Sequence, residues 1–174
     1  VKVPPSLPRF VPLGAQRFVP LEDLIAEHLN IILGCYQSAV DDAYLDLNLR
    51  VTEHLLDASM AEDNCHAPLL PNVRMRWSAD QAAIIYSIWL YDQNNGTSLA
   101  NELRDGWLIY MDTRMRDHAT GLYMTEVMGV KRYSKQPRGC ALAYLIYYSS
   151  HFAPQTAAEQ WGLFKTHMLI KRTG

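Results

Sequence analysis

The sequence predicts a mainly all-α protein, a single compact domain of about six or seven helices behind an extended, proline-rich N-terminal arm. Three observations lead there. Apolar residues recur at helical spacing through most of the chain after residue 21. Glycine-bearing or polar breaks separate these runs at helix-length intervals. The first twenty residues hold Pro4, Pro5, Pro8, Pro12 and Pro20, a density that a helix does not tolerate. The expected division is an arm over 1–20 and a helical domain over 21–174.

The arm contains one phrase twice, Arg9-Phe10-Val11-Pro12-Leu13 and Arg17-Phe18-Val19-Pro20-Leu21. Each proline fixes its own φ and pushes the preceding residue to extended geometry. In polyproline form the offset between the phrases spans about 25 Å. An extended arm cannot bury Phe10 and Phe18 in a core of its own, and each ring would gain on the order of 2 kcal/mol in an apolar pocket elsewhere. Arg9, Phe10, Val11, Leu13, Arg17 and Phe18 are therefore the expected partner-binding residues. Pro20 and Leu21 run straight into the first helical stripe. The second copy is thus expected to anchor the arm to its own domain, leaving Phe10 and Val11 freer for a partner.

Glu22 and Asp23 suit the first turn of a helix. Leu21, Leu24, Ile25, His28, Leu29 and Ile32 follow at helical spacing, with Gly34 as the expected stop. A second run, Val40, Ala43, Tyr44, Leu47, Val51, His54, Leu55 and Ala58, lasts about five turns. Residues 61–77, with Pro68 and Pro71, read as a loop or crossover. Ser78-Ala79-Asp80-Gln81 has the pattern of a capping box, opening a helix through Ala82, Ile85, Tyr86, Trp89 and Leu90. Asn94-Asn95-Gly96-Thr97 is a turn signal and a formal glycosylation sequon. Leu99, Leu103, Trp107, Met111 and Met115 mark the next helix, with Gly106 a weak point inside it.

A looser run covers Leu122 to Met128, and Lys131 to Arg138 reads as a loop. Residues 140–148 form the most apolar stretch, either a central buried helix or a buried strand. Ala141, Leu142 and Ala143 favour helix, Tyr147-Tyr148 strand. Thr156-Ala157-Ala158-Glu159 is a second capping-box pattern, before a helix holding Trp161, Phe164 and Met168. The alternative for residues 166–172 is a short strand, which could pair with 140–148 in a small sheet.

Hydrophobic content of 49% with 20% charged residues is that of a folded domain. Sixteen basic residues against eighteen acidic ones, a net charge of −2, argue against a surface built for nucleic acid. No apolar run is long enough to span a bilayer. Cys35, Cys65 and Cys140 are too few and too scattered for a disulfide framework, so a reducing compartment, intracellular or an organelle matrix, is expected.

Little chemistry is legible. His28 and His54 fall on apolar stripes. They read either as a paired site between two helices or as core and boundary histidines, the second being favoured because no carboxylate shares their stripe. No HxxxH, HExxH or CxxC spacing occurs, so no metal and no cofactor is expected. A cysteine nucleophile at Cys65 would need a base such as His118 or His151.

Tyr86-Ser87, Tyr91, Asn101 and Leu103-Arg104, followed by Ser149-Ser150 and then Ala157, Ala158 and Trp161, resemble the helical segment and serine motif of bacterial mono-ADP-ribosyltransferases. The resemblance covers about a third of the chain. It implies a nicotinamide-side arginine, for which Arg132 and Arg138 are nearby, and a Glu-x-Glu pair. Glu159 is the only glutamate after Ser150, so the pair is missing, and at most an inactive fold of that kind is implied.

The function expected from these observations is that of a non-enzymatic structural or adaptor subunit. Its arm would dock on protein partners, and the doubled phrase would suit a symmetric or repeating assembly. The alternative is a small enzyme, either a degenerate ADP-ribosyltransferase-like fold or a cysteine-based site.

Overall fold

A computed structural model describes residues 23–63, 65–66, 75–128, 132–133 and 136–169. The arm over 1–20, with Arg9, Phe10, Val11, Leu13, Arg17 and Phe18, lies outside the described residues. The described chain is mostly helical: α1 (Asp23–Ala39), α2 (Leu45–Met60), α3 (Ser78–Asn95), α4 (Ala100–Arg114), α5 (Gly139–Phe152) and α6 (Pro154–His167). Three short strands, β1 (Met75–Trp77), β2 (Glu126–Met128) and β3 (Arg132–Tyr133), form an antiparallel sheet in the order β1-β2-β3.

The central element is α3. Ala82, Ile84, Ile85 and Ile88 are fully buried, and buried residues occur all round the helix. It packs on α1, α2, α4 and α5, so that Gln93 is its one exposed residue. This corrects the expectation that residues 140–148 form the central element. They belong to α5, which is a helix and not a strand, and only Leu142, Leu145, Ser149 and Phe152 of it are buried. The remaining tyrosines of α5 lie on or near the surface, so its uniform apolarity does not mark the core. The proposed sheet of 140–148 with 166–172 is likewise overturned at its first strand, while Thr166 and His167 belong to α6. The real sheet comes from segments read as a loop or a loose run. Arg76 pairs with Val127, and Val127 with Tyr133. Two or three residues per strand carry too little alternation to register as a pattern.

Gly34 does not stop α1. The helix runs on to Ala39, and the missing side chain at Gly34 lets α3 approach. A β-carbon there would stand 2.8 Å from Leu90 Cδ2. The carbonyl of Gly34 also accepts hydrogen bonds from Ser38 Oγ at 3.0 Å and Asn94 Nδ2 at 2.8 Å. The second run starts later than its periodicity implies, at Leu45. Asp41 Oδ1 accepts the Ala43 amide at 2.9 Å and closes a turn before it.

Neither capping box forms. Ser78 Oγ donates to the Met124 carbonyl at 3.1 Å, and Gln81 Nε2 donates to Ser59 Oγ at 3.1 Å. Both side chains tie α3 to neighbouring segments. In α6, Pro154 occupies the first turn and Glu159 is bound to Arg116. The turn at Gly96 is as expected, left-handed at φ 68°. The start of α4 is satisfied from a distance. Asp92, buried in α3, accepts the amides of Leu99 and Ala100, each at 2.9 Å. The α4 stripe is as predicted, with Leu103, Trp107, Met111 and Met115 fully buried.

Candidate functional site

The helices α1 and α5 lie on either side of α3, and the side chains between them form an aromatic face. Tyr86 of α3 is the hub. Its ring centroid is 4.6 Å from His151, 5.4 Å from Tyr148 and 6.0 Å from Trp89. Tyr147 adds an edge contact to His151 at 5.6 Å, and Tyr144 one to Tyr148 at 5.8 Å. Tyr144 and Tyr147 are 59% and 61% exposed. On α1 the stripe Ile25, His28, Ile32 and Cys35 is also exposed, with Ile32 at 64%. The thiol of Cys35 lies close enough to Tyr86 to help burial raise the pKa of that phenol.

At the start of α3 the face passes Tyr144 and opens into a cavity of about 310 Å³. Its walls are Trp77, Ala79, Asp80, Thr125, Glu126, Arg138, Cys140, Ala141 and Tyr144. The sheet supplies Trp77 and Glu126, α3 supplies Asp80, and α5 supplies Cys140, Ala141 and Tyr144. Glu126 and Arg138 form an ion pair at 2.7 Å across one wall. Asp80 is held against Glu27 of α1, which is fully buried and 3.2 Å from His28 Nδ1. Burial raises the pKa of Asp80. The amide of Asp80 itself, the neighbouring His28 and a hydrogen bond with Glu27 oppose the rise. Two carboxyl groups thus lie side by side away from water, a setting that favours the protonated form of Asp80.

Sequence reasoning missed both acids as site residues. Asp80 was absorbed in a capping pattern, and Glu27 sat among charged residues at the start of a helix. A signal was present in the stripe Glu27, Asn30, Gly34, which runs up the buried side of α1. Asn30 there donates to Thr52 Oγ1 and Ser87 Oγ, each at 3.0 Å. Its polar residues disguise a core-facing row. His28, assigned to an apolar stripe, is instead exposed and paired with Glu27, so a carboxylate does neighbour it.

The other predicted residues scatter. Cys65 packs against α4 at Gly106, and burial followed by the charge of Glu102 raises its pKa, which keeps it a thiol. Next to it, His66 is fully buried and accepts the indole N–H of Trp107 through Nε2 at 3.1 Å. His151 belongs to the aromatic face. Of Tyr86, Arg138 and Ser149, the cavity takes only Arg138. Ser149 is buried and donates to the Leu145 carbonyl at 2.6 Å, Ser150 donates to the Tyr147 carbonyl at 2.6 Å, and Glu159 pairs with Arg116 at 2.7 Å. Among the described residues no three His, Cys, Asp or Glu side chains group closely enough to hold a metal ion. No helix among them is long and apolar enough to cross a membrane.

No protein-family model matches this sequence, and no curated protein matches it.

Proposed function

We propose that this domain serves as an interaction subunit, held to a protein partner through the aromatic face of α1, α3 and α5, with the N-terminal arm as a second attachment. The observation that carries the reading is the set of large apolar side chains left in water on the two helices that flank α3: Ile25 and Ile32 on α1, Tyr144 and Tyr147 on α5. Scattered apolar residues on a surface need no explanation, but exposed apolar side chains that flank a packed aromatic cluster do. Tyrosines of this kind supply interface energy at a low entropic cost. The partner implied presents an apolar surface of its own. Arg9, Phe10, Val11 and Leu13 would add a separate contact, while Arg17 and Phe18 of the second copy would hold the arm to its own domain.

The test uses the full chain carrying Ile32→Ser with Tyr147→Ser, and separately Phe10→Ala, followed by light scattering and by cross-linking in the native extract. Both variants should keep the wild-type melting temperature and lose the assembled species. A wild-type chain that runs as a lone monomer, with the variants behaving identically, defeats the reading. Phe18→Ala is expected to lower stability instead of association.

A small enzyme is the second reading, and the Asp80–Glu27 pair favours it. Burial raises the pKa of Asp80, which borders a cavity at the small end of the range for ligand sites.

A further inference from the structure

The first half of the arm has a pattern of its own. A polyproline helix repeats every three residues. In that form Pro4, Leu7, Phe10 and Leu13 share one edge, and Pro5, Pro8 and Val11 share the next. The third edge carries Ser6 and Arg9. Residues 4–13 thus spell an amphipathic polyproline segment, with two apolar edges and one polar edge. Such segments dock on surfaces ridged with aromatic rings, because a proline-rich chain is already extended and loses little entropy. The domain has such a surface. Tyr144, Tyr148, Tyr147, His151, Tyr86 and Trp89 form a ladder of rings with successive centroids 4.6–6.0 Å apart. From Tyr144 to His151 the ladder follows α5 for about 10 Å. Neighbours on one polyproline edge, such as Leu7 and Phe10, are about 9 Å apart, which matches that run.

Two observations make the occupant a second molecule of this chain. One is length. With Arg17 and Phe18 holding the arm to its own domain, Phe10 stands about 25 Å from Phe18 in polyproline form. The exposed stripe of α1 from Ile25 to Cys35 is only about 15 Å long, so a straight first half runs past its own face. The other is charge. As far as Leu21 the arm carries Lys2, Arg9 and Arg17 and no acid. The rest of the chain holds thirteen basic against eighteen acidic residues, a net charge of −5. A segment and its acceptor on the same chain generate a two-fold dimer with two identical contacts. We infer that two molecules of this chain exchange arms, residues 4–13 of each lying in polyproline form on the Tyr144-to-His151 ladder of the other. The inference rests on the reading of the aromatic face as a docking surface and names its occupant.

Complementation between full-length chains tests it, read by light scattering. Wild type should be a dimer. Ile32→Ser with Tyr147→Ser spoils the face and keeps the arm, whereas Phe10→Ala spoils the arm and keeps the face. Each variant alone should be a folded monomer by circular dichroism and scattering. An equimolar mixture of the two should dimerise again, through one arm on one face, about tenfold or more weakly than wild type. A peptide of residues 1–14 added to the Phe10→Ala chain should shift the Trp89 indole and Tyr147 amide signals in NMR, and the same peptide carrying Phe10→Ala should not. A wild-type dimer whose variants are not rescued by mixing means that the faces meet each other, which overturns arm exchange and leaves the docking surface. A wild-type chain that is monomeric when pure and assembled in the extract gives the face to a different protein, with the same consequence. A pure monomer whose Phe10→Ala variant still responds to the peptide places the arm on its own domain and overturns exchange. Variants indistinguishable from wild type throughout overturn the inference and the docking surface together.

Discussion

The thiol of Cys65 occupies the space that a side chain on Gly106 would need. A β-carbon at Gly106 would stand 2.9 Å from Cys65 Sγ. Cys65 itself is held at a φ of 53°, a left-handed conformation that costs most residues about 1–2 kcal/mol. The loop after α2 is thus pressed onto α4 at the one position of that helix without a side chain.

Gly106→Ala should therefore destabilise the protein by about 1–3 kcal/mol, although alanine is the better helix former. Cys65→Gly removes both the thiol and the backbone strain. In that background Gly106→Ala should turn stabilising by up to about 1 kcal/mol. Urea melts of the four proteins in the cycle measure the coupling. Additive effects would show that the two residues do not share this space.

Asp80 links stability to pH. Its folded pKa lies above its unfolded one, chiefly because of burial. Between the ordinary carboxylate value of about 3.9 and the raised folded value, the folded chain holds a proton that the unfolded chain has released. Stability falls through that window as pH rises. Asp80→Asn cannot lose a proton, and its amide can donate to Glu27. The variant should be more stable than wild type at neutral pH, with the gap closing as pH drops below the window. Denaturation at a series of pH values tests this, and a gap independent of pH counts against it.

Asp92 stitches α3 to α4 by accepting the Leu99 and Ala100 amides. Asp92→Ala leaves those donors without their acceptor and should cost about 1–3 kcal/mol. Hydrogen exchange should speed up first at Ala100 and the following turn of α4. Protection that stays unchanged there would mean that the cap is dispensable.

The helices were legible where one stripe faced one core. In α4, Leu103, Trp107, Met111 and Met115 appear in sequence at the spacing at which they are buried. Reading failed where a residue's partner was distant in the chain. Gly34 looks like a stop until Leu90 is beside it, and Gln81 looks like half of a cap until Ser59 is within reach. The small sheet was invisible for a related reason: Arg76 and Val127 pair across 51 residues, and neither flank is long enough to show a period of two.

The cavity was the least legible feature. Trp77, Asp80, Glu126 and Tyr144 come from four different elements, and nothing in their spacing joins them. Glu27 was hidden by its chemistry, since a glutamate near the start of a helix is ordinarily a solvated charge that suits the helix dipole.

By itself the sequence determined the helical class, most of the helix positions and the doubled Arg-Phe-Val-Pro-Leu arm, because periodicity and proline geometry are local. Only the tertiary structure decided which helix is central, that α5 turns its tyrosines outward, and that Glu27 and Asp80 meet behind a cavity. Those outcomes depend on which surfaces come together, and a buried carboxyl pair exists only once two helices have brought both acids out of water.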